Sequence, residues 1–299
     1  MQDFVQLLSD DFNNIFFVNG ERNGSYPYSH SLLIGDYLID TGISNGYLKK
    51  LKKQYPINHV LLSHWHEDHI SGNHLLTNSK FLCHEKDKLP IEDIEKMLLY
   101  YNVENTVEGK EFSAIFGLYG MKNTHVSKYF KDDEIISIGD NLRLKVIFTP
   151  GHTAGHCGFY EMNSKIAFLG DMDLTRFPYY ATIDSNLMEF ENSIERLKTL
   201  DIEIAIVGHR DPVIGNSNIK NELTNFKSAI QKRDERILSN LFEKKPVHPT
   251  DLKGKNLIYR RYTYENFEVI SELVMIEKHF EKFLKENLIT IKDDGYILT

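Results

Sequence analysis

Five short apolar segments of this chain each run directly into a polar cluster that contains His or Asp. The segments are residues 37–39 before Asp40, 60–62 before Ser63-His64, 146–148 before Thr149-Pro150-Gly151-His152, 166–169 before Gly170-Asp171 and 204–207 before Gly208-His209. Short apolar and β-branched runs bounded by turn residues are typical of buried strands. Reactive side chains collect on loops at strand ends, where a rigid sheet positions them. The sequence therefore predicts five strands whose ends form one shared rim.

Helical patterns lie between the predicted strands, which indicates a mixed α/β fold class. Apolar residues at helical spacing from Leu187 to Leu197 predict one helix, with Asp184 or Ser185 as its N-cap. The segment 92–133 is rich in aromatic and charged residues. We expect it to form a helical insertion beside the rim.

The character of the chain changes near residue 218. Two long amphipathic patterns follow, from Leu223 to Leu241 and from Ile270 to Phe283, and Asp294-Gly295 marks a terminal hairpin. We therefore predict a main domain over 1–217 and a small helical domain with a wing-like hairpin over 218–299.

Composition excludes several classes of protein. Hydrophobic residues make up 41% and charged residues 26%, as in ordinary globular chains, and the net charge of -8 argues against a nucleic-acid binder that uses its whole surface. Two cysteines cannot form a disulfide framework and fit a reducing compartment. Residues 1–10 lack a secretory pattern, and no run of apolar residues suggests a membrane span. We expect a cytoplasmic protein that does not insert into membranes.

The segment 63–69 has the spacing of a metal site. His64 and His66 are two residues apart, so on extended backbone they face the same side and can bind one ion. If a helix begins next, Asp68 and His69 point in different directions and suit a second ion. His152 can complete a set of three histidines, His209 can join Asp68 and His69, and Asp171 can bridge the two ions.

Imidazole nitrogen and carboxylate oxygen are ligands that zinc accepts, and a catalytic site keeps a position open for water. We therefore predict two divalent metal ions. Zn²⁺ is preferred, and Fe and Mn are the alternatives. The predicted ligands are His64, His66, Asp68, His69, His152, Asp171 and His209.

The ordered motifs resemble those of the metallo-β-lactamase superfamily over roughly residues 13–215. The matching parts are Asp40 at a strand end, His-x-His-x-Asp-His over 64–69, then Thr-Pro-Gly-His, Gly-Asp and Gly-His. The resemblance implies an αββα sandwich with a dinuclear site at its rim. The region after residue 218 looks like the winged-helix-type extension of β-lactamase-like hydrolases and endoribonucleases, whereas glyoxalase II enzymes carry a different helical cap.

Two branches of that superfamily fit less well. Zinc β-lactamases lack a bridging Asp where Asp171 stands, so antibiotic hydrolysis is disfavoured. Flavodiiron oxygen reductases place Glu where this chain has His66, and they add a flavodoxin domain for which this chain is too short.

Two metal ions lower the pKa of a bridging water and make hydroxide available as a nucleophile. We assign catalytic roles to Asp68 and Asp171. Asp40 is expected to orient a histidine rather than to bind metal. His156 is a candidate proton donor, although it can instead support its loop. Phe177, Tyr179 and Tyr180 follow Asp171 and are candidates to line the substrate pocket.

The first functional hypothesis is hydrolysis of a small ester, thioester or lactone. Residues 227–261 contain ten Lys or Arg against four Asp or Glu, which a solvated helix face explains first and an anionic substrate, such as RNA, a nucleotide or an acyl-CoA, explains second. This basic stretch and the wing-like terminus make phosphodiester or RNA cleavage the alternative hypothesis. Further alternatives are an iron-dependent enzyme resembling persulfide dioxygenases and a binding or scaffolding protein without turnover. A homo-oligomer is compatible with all of these.

Overall fold

The computed structural model describes residues 4–9, 12, 14–139, 141–263 and 265–299. Within these ranges the strands form two large sheets and one terminal hairpin. The first sheet has the order β1 to β7 and contains Val5–Leu7 (β1), Ile15–Val18 (β2), Ser31–Ile34 (β3), Tyr37–Ile39 (β4), His59–Leu61 (β5), Lys80–Cys83 (β6) and Val126–Tyr129 (β7). Strands β1 to β4 are antiparallel, and β4 to β7 are parallel.

The second sheet has the order β13, β12, β11, β10, β9, β8. Its strands are Ile135–Ile138 (β8), Leu142–Phe148 (β9), Cys157–Glu161 (β10), Ile166–Phe168 (β11), Ile204–Ile206 (β12) and Val213–Ile214 (β13). Strands β11 and β12 are parallel, and the other neighbours are antiparallel. Each of the five segments predicted as strands therefore lies in one of the two sheets.

Helices cover the outer faces of the sheets. The α-helices are Asn45–Gln54 (α1), Glu67–Ile70 (α2), Lys88–Glu92 (α3), Glu95–Tyr100 (α4), Val107–Tyr119 (α5), Leu187–Lys198 (α6), Asn216–Leu238 (α7), Pro249–Leu252 (α8) and Glu265–Lys285 (α9). Short 3-10 helices occur at Glu21–Gly24, Asn73–Leu75 and Glu85–Asp87. The predicted insertion over 92–133 contains α4 and α5, but it is not helical throughout, because the chain re-enters the first sheet at β7 within this range.

Successive side chains along each strand point to opposite faces of its sheet. Leu32 and Ile34 of β3 pack with Phe159 and Phe168 of the second sheet in one hydrophobic cluster, whereas Leu33 packs with the helices outside the first sheet. In β11, Ala167 points away from the cluster between the sheets, toward α6 and α7. The result is four layers in the order α, β, β, α, which confirms the expected sandwich.

The C-terminal helices pack on the outer face of the second sheet. Helices α7 and α9 share one buried cluster with α6 and with strands β11 and β12. A hairpin of Ile289–Lys292 (β14) and Gly295–Leu298 (β15) follows, and Val247 forms an isolated bridge to Tyr296. The winged-helix assignment and the division at residue 217 stay predictions. No helix within the described ranges is long and apolar enough to cross a membrane.

The predicted N-cap of α6 was wrong by one or two residues. Asn186 is the cap, because its side-chain oxygen accepts hydrogen bonds from the backbone N–H groups of Met188 and Glu189. Asp184 instead accepts from the indole of Trp65, and Ser185 donates to the backbone carbonyl of His152. The two polar residues before the helix therefore hold the loop of a predicted ligand.

Replacement of Phe226 by Ala should destabilise the fold strongly. Phe226 is fully buried and its ring lies 5.7 Å from that of Phe190, so truncation leaves a cavity between α7 and α6. We expect the free energy of unfolding, measured by urea denaturation, to fall by about 3–5 kcal/mol. Phe242→Ala is the control. Phe242 is 51% exposed, so its truncation should lower the free energy of unfolding by less than about 0.5 kcal/mol. Equal losses in the two variants would contradict this packing.

Candidate metal centre

Four loops that carry predicted ligands and the loop that carries Asp40 converge at one edge of the sandwich. Strands β4, β5, β9, β11 and β12 all end there, and the polar residues after them meet across the two sheets. His64, His66, His152 and Asp171 each offer a donor atom within 4.8 Å of the others. Asp68, His69 and His209 form a second group by the same criterion. The structure therefore brings together all seven residues predicted as ligands.

Asp171 lies between the two groups, and its carboxylate oxygens face different histidines. Oδ2 lies 3.4 Å from Nε2 of His152 and 3.9 Å from Nε2 of His64. Oδ1 lies 2.8 Å from Nε2 of His69 and 3.4 Å from Nε2 of His209. One carboxylate can thus contact both histidine sets, as a bridging ligand would.

In His152 and His209, the ring nitrogen Nδ1 is hydrogen-bonded to a backbone carbonyl. Nδ1 of His152 lies 2.8 Å from the backbone carbonyl of Tyr179, and Nδ1 of His209 lies 2.8 Å from that of Gly24. Since a carbonyl only accepts, each Nδ1 carries the proton, and in the neutral ring Nε2 keeps its lone pair for the site. These contacts fix the tautomer and the orientation of both rings.

Asp40 supports the site from behind. It is fully buried, and its Oδ2 lies 2.6 Å from Nδ1 of His69. Its oxygens also accept hydrogen bonds from the backbone N–H and the hydroxyl of Ser63, at 2.7 Å and 2.6 Å. Asp40, His64 and His69 also lie close enough to form a metal group. However, both oxygens of Asp40 already have partners, which favours the predicted orienting role.

Replacement of Asp40 by Asn should weaken metal binding without disturbing the turn. Asp40 has a φ of 61°, which Asn tolerates, so the variant changes the charge and keeps the backbone. Loss of the carboxylate behind His69 should reduce metal affinity about 10- to 100-fold, measured by competition with a chelator. Asp36→Asn, at the other end of β4, is the control. If the metal affinity of Asp40→Asn equals that of the wild type, Asp40 serves only to form the turn.

Electrostatics differ between the two histidine groups. Burial lowers the pKa of His64 and of His66 well below the usual value, which keeps these rings neutral. Burial also opposes the charged form of His69, but the carboxylates of Asp171 and Asp40 outweigh it and raise its pKa to about 10. Burial likewise opposes the charged form of His209, and Asp171 and Asp68 raise its pKa. Bound metal would take the place of these protons.

The donor set fits divalent metal ions. Nε2 of His64 is buried and has no hydrogen-bond partner among the described residues, although it faces Asp171. A buried polar atom without a partner is costly, and coordination to a metal would satisfy it. Five imidazoles and two carboxylates are the nitrogen and oxygen ligands that zinc, iron and manganese accept. The number and identity of the ions stay predictions.

Glycine is required beside two of the ligands. A Cβ at Gly208 would lie 2.5 Å from Oδ1 of Asp171 and 2.9 Å from Cε1 of His69. Gly170 has a φ of 54°, and its Cβ would lie 2.7 Å from Nε2 of His156. The glycines of the Gly-Asp and Gly-His motifs therefore leave room for the ligands to meet.

A cavity of about 440 Å³ opens onto the two groups. Phe177 and Tyr179 line it, as predicted. Tyr180 does not, because it is fully buried and its hydroxyl contacts Nε2 of His279 at 2.8 Å and accepts from Arg233 at 2.9 Å. The structure thus corrects the expectation for Tyr180, which ties the loop to α9 and α7 instead of contacting a substrate.

His156 also has a supporting position. It is fully buried, its Nε2 accepts from the backbone N–H of Asp171 at 3.1 Å, and its Nδ1 lies 2.8 Å from the hydroxyl of Thr149. Burial lowers its pKa to about 3. Both ring nitrogens are occupied, so this histidine holds the Gly-Asp loop and is not a proton donor to a substrate.

Two further residues, Glu67 and Phe267, line the cavity and were not predicted from the sequence. Glu67 is buried beside Asp68 and accepts hydrogen bonds from the hydroxyls of Tyr26 and Tyr101. Burial, followed by the charge of Asp68, raises its pKa to about 7. Glu67 lies within the 63–69 motif, so its position there was the available signal. Phe267 of α9 also lines the cavity, and no local pattern indicates that a C-terminal helix reaches the site.

Comparisons with known proteins agree with this geometry. A beta-lactamase-like protein 2 homolog of Caenorhabditis elegans is 25% identical over 264 residues, which cover 84% of this chain and 78% of the relative. A hydroxyacylglutathione hydrolase of Pelagibacter ubique is 24% identical over 247 residues, which cover 79% of this chain and 87% of the relative. A metallo-beta-lactamase family protein from Thermus thermophilus has the same fold, with a TM-score of 0.69 at 19% identity, over 99% of this chain and 97% of that one.

The family model described as the metallo-beta-lactamase superfamily matches residues 28–209, which is more than half of the chain. This range contains Asp40 and all seven predicted ligands. The resemblance seen in the ordered motifs is therefore confirmed, and the chain belongs to the metallo-beta-lactamase superfamily.

Proposed function

We propose that this protein is a dinuclear metal-dependent hydrolase that cleaves a small ester, thioester or lactone. The observation that carries the proposal is the position of Asp171, whose two carboxylate oxygens face two separate histidine groups. Relatives named hydroxyacylglutathione hydrolase, in Pelagibacter ubique and Erythrobacter litoralis, support an acyl substrate. Zinc is the metal that the mixed nitrogen and oxygen ligands favour.

His64, His66 and His152 would hold one ion, Asp68, His69 and His209 the other, and Asp171 both. When bound, the ions supply a hydroxide at neutral pH and polarise the carbonyl oxygen of the substrate. No Ser or Cys nucleophile is then needed. This agrees with the burial of Cys83 and Cys157, whose thiol pKa values are raised by burial.

The protein's own residues orient the ligands and limit access of water. The carbonyls of Tyr179 and Gly24 and the carboxylate of Asp40 fix three of the imidazoles. Aromatic rings of Tyr101, Tyr179 and Phe267 line the cavity, and a substrate packed against them would displace bulk water from it. Excluding water strengthens electrostatic interactions with a charge that develops during reaction.

The test is a substrate panel with the purified, metal-loaded protein. Thioesters, lactones and aryl esters should be hydrolysed, whereas a phosphodiester such as bis-p-nitrophenyl phosphate should be cleaved far more slowly. Asp171→Asn, purified in parallel, provides the background rate. Turnover of the phosphodiester or of RNA with no acyl hydrolysis, at full metal loading, would overturn the proposal. Oxygen consumption with a sulfur substrate and one bound iron would favour redox chemistry instead.

A further inference from the structure

A second cavity, of about 830 Å³, adjoins the metal centre and is strongly cationic. We call it the basic cavity, and it lies between α7, the loop after Asp171 and the segment before α9. Its charged lining consists of Arg176, Lys232, Arg233, Arg236, Arg260 and Glu222. Glu222 is already paired with Arg210, at 3.1 Å. Five cations therefore remain without a balancing carboxylate in the lining.

Arg233 shows that this charge is built into the fold. Its side chain is only 2% exposed, and it donates to the backbone carbonyl of Pro178 at 2.6 Å and to the hydroxyl of Tyr180. The guanidinium also lies 4.4 Å from the centre of the Phe177 ring. None of the described acidic residues forms an ion pair with it. Since a buried charge without a counter-ion is costly, an anionic ligand would stabilise this arrangement.

The positive charges of Arg233, Arg236 and Arg260 repel one another. Burial, followed by the charge of Arg233, lowers the pKa of Arg236, and the charge of Arg260 acts in the same direction. Such mutual repulsion would be relieved by a ligand with several negative charges. Arg side chains offer paired N–H donors that match the oxygens of phosphate.

The basic cavity shares part of its lining with the cavity at the metal centre. Thr175 and Phe177 line both cavities, and the ring of Tyr259 packs 4.9 Å from that of Phe177. The two cavities therefore adjoin, and a ligand that extends from one into the other would place anionic groups among the arginines and a reactive group beside Asp171.

A third cavity beside the metal centre has a different character. This cavity, of about 710 Å³, shares Tyr26 and Phe267 with the metal site, and its charged lining is one cation, Arg22, and three carboxylates, from Glu108, Glu111 and Glu265. Its other lining is largely apolar and includes Leu118, which is 85% exposed. A nucleic acid that ran through the site would bring phosphates against these carboxylates. This arrangement favours a substrate with phosphates at one end only.

We propose that the basic cavity binds the phosphate groups of a nucleotide-bearing carrier thiol whose acyl thioester is cleaved at the metal centre. The apolar end of the acyl group would lie toward Leu118 and Ile115. The inference rests on the acyl hydrolase function proposed above. In the reaction the oxygen of water bonds to the acyl carbon as the carbon–sulfur bond breaks. The sulfur gains a proton, and the products are a carboxylic acid and the free carrier thiol.

The test compares two thioesters that differ in their phosphates. Octanoyl-CoA and S-octanoyl-pantetheine carry the same reacting group, but the second lacks the nucleotide. We expect KM to be at least about tenfold lower for the CoA thioester, because charge-assisted contacts are lost with the phosphates. Arg236→Glu and Arg260→Glu should each remove most of this difference by raising KM for the CoA thioester. Lys245→Glu, an exposed residue outside the cavity, is the control with the same change of charge.

Binding separates this inference from the proposed function. Calorimetry with free CoA should show binding to the wild type and to Lys245→Glu, with at least about tenfold weaker binding to Arg236→Glu, whether or not any thioester is hydrolysed. Hydrolysis of both thioesters with equal KM, together with no binding of CoA, would overturn the inference and keep the hydrolase. Tighter binding of a single-stranded RNA than of CoA, lost in Arg236→Glu, would assign the cavity to a polymer and also overturn it.

Discussion

Asp171→Asn should lower kcat/KM for acyl hydrolysis at least about a thousandfold, which corresponds to about 4 kcal/mol of transition-state stabilisation. The amide has nearly the shape of the carboxylate but lacks its charge and one of its oxygens. Oδ1 of Asp171 faces His69 and His209, whereas Oδ2 faces His64 and His152, so an amide can serve only one group. The number of bound metal ions per chain should fall below two.

Asp211→Asn is the matched control for this variant. Asp211 is exposed, lies two residues after His209 and accepts a hydrogen bond from Asn23. It should keep the wild-type rate and metal content. The far-UV circular dichroism of both variants should equal that of the wild type. Wild-type metal content and rate in Asp171→Asn would remove the bridging role and, with it, the main support for a dinuclear hydrolase.

His152→Ala and His209→Ala should each cost the protein one ion, from different groups. His152 belongs with His64 and His66, and His209 belongs with Asp68 and His69. Each variant should retain about one ion per chain and lose at least about a hundredfold in rate, because both ions act on the same water and substrate. The measurements are elemental analysis after dialysis and steady-state kinetics.

The double variant His152→Ala/His209→Ala should then retain no tightly bound metal. The two single losses in rate should not add, since either one already disrupts the same reactive unit. His125→Ala, an exposed histidine outside the described metal groups, controls for loss of a surface imidazole. Loss of all bound metal in one single variant and of none in the other would show that only one group binds metal.

Much of the fold and of the candidate site could be predicted from sequence because local chemistry marks them. The segment 204–207 is apolar and ends at Gly208-His209, and the other ligand loops repeat this pattern, so the strand ends were visible without a structure. A side chain at position 208 would collide with Asp171 and His69, which explains why glycine precedes His209. The αββα order itself came from resemblance, because periodicity alone does not say which sheet faces which.

What the sequence could not show depends on contacts between distant segments. Tyr179 and Tyr180 are adjacent and chemically alike, yet one lines the cavity and the other is buried against His279 of α9. The cap of α6 is Asn186 because Asp184 and Ser185 are used by Trp65 and His152. In each case a tertiary partner decides between equivalent local candidates, and that partner lies far away in sequence.

The metal content of the purified wild-type chain is the measurement that bears most directly on the dinuclear centre. Zinc, iron and manganese should be counted per chain by elemental analysis, before and after saturation with zinc followed by dialysis. We predict about two tightly bound divalent ions, held by the two histidine groups and bridged by Asp171. A limit of one ion per chain after saturation, unchanged in His209→Ala, would contradict a dinuclear site.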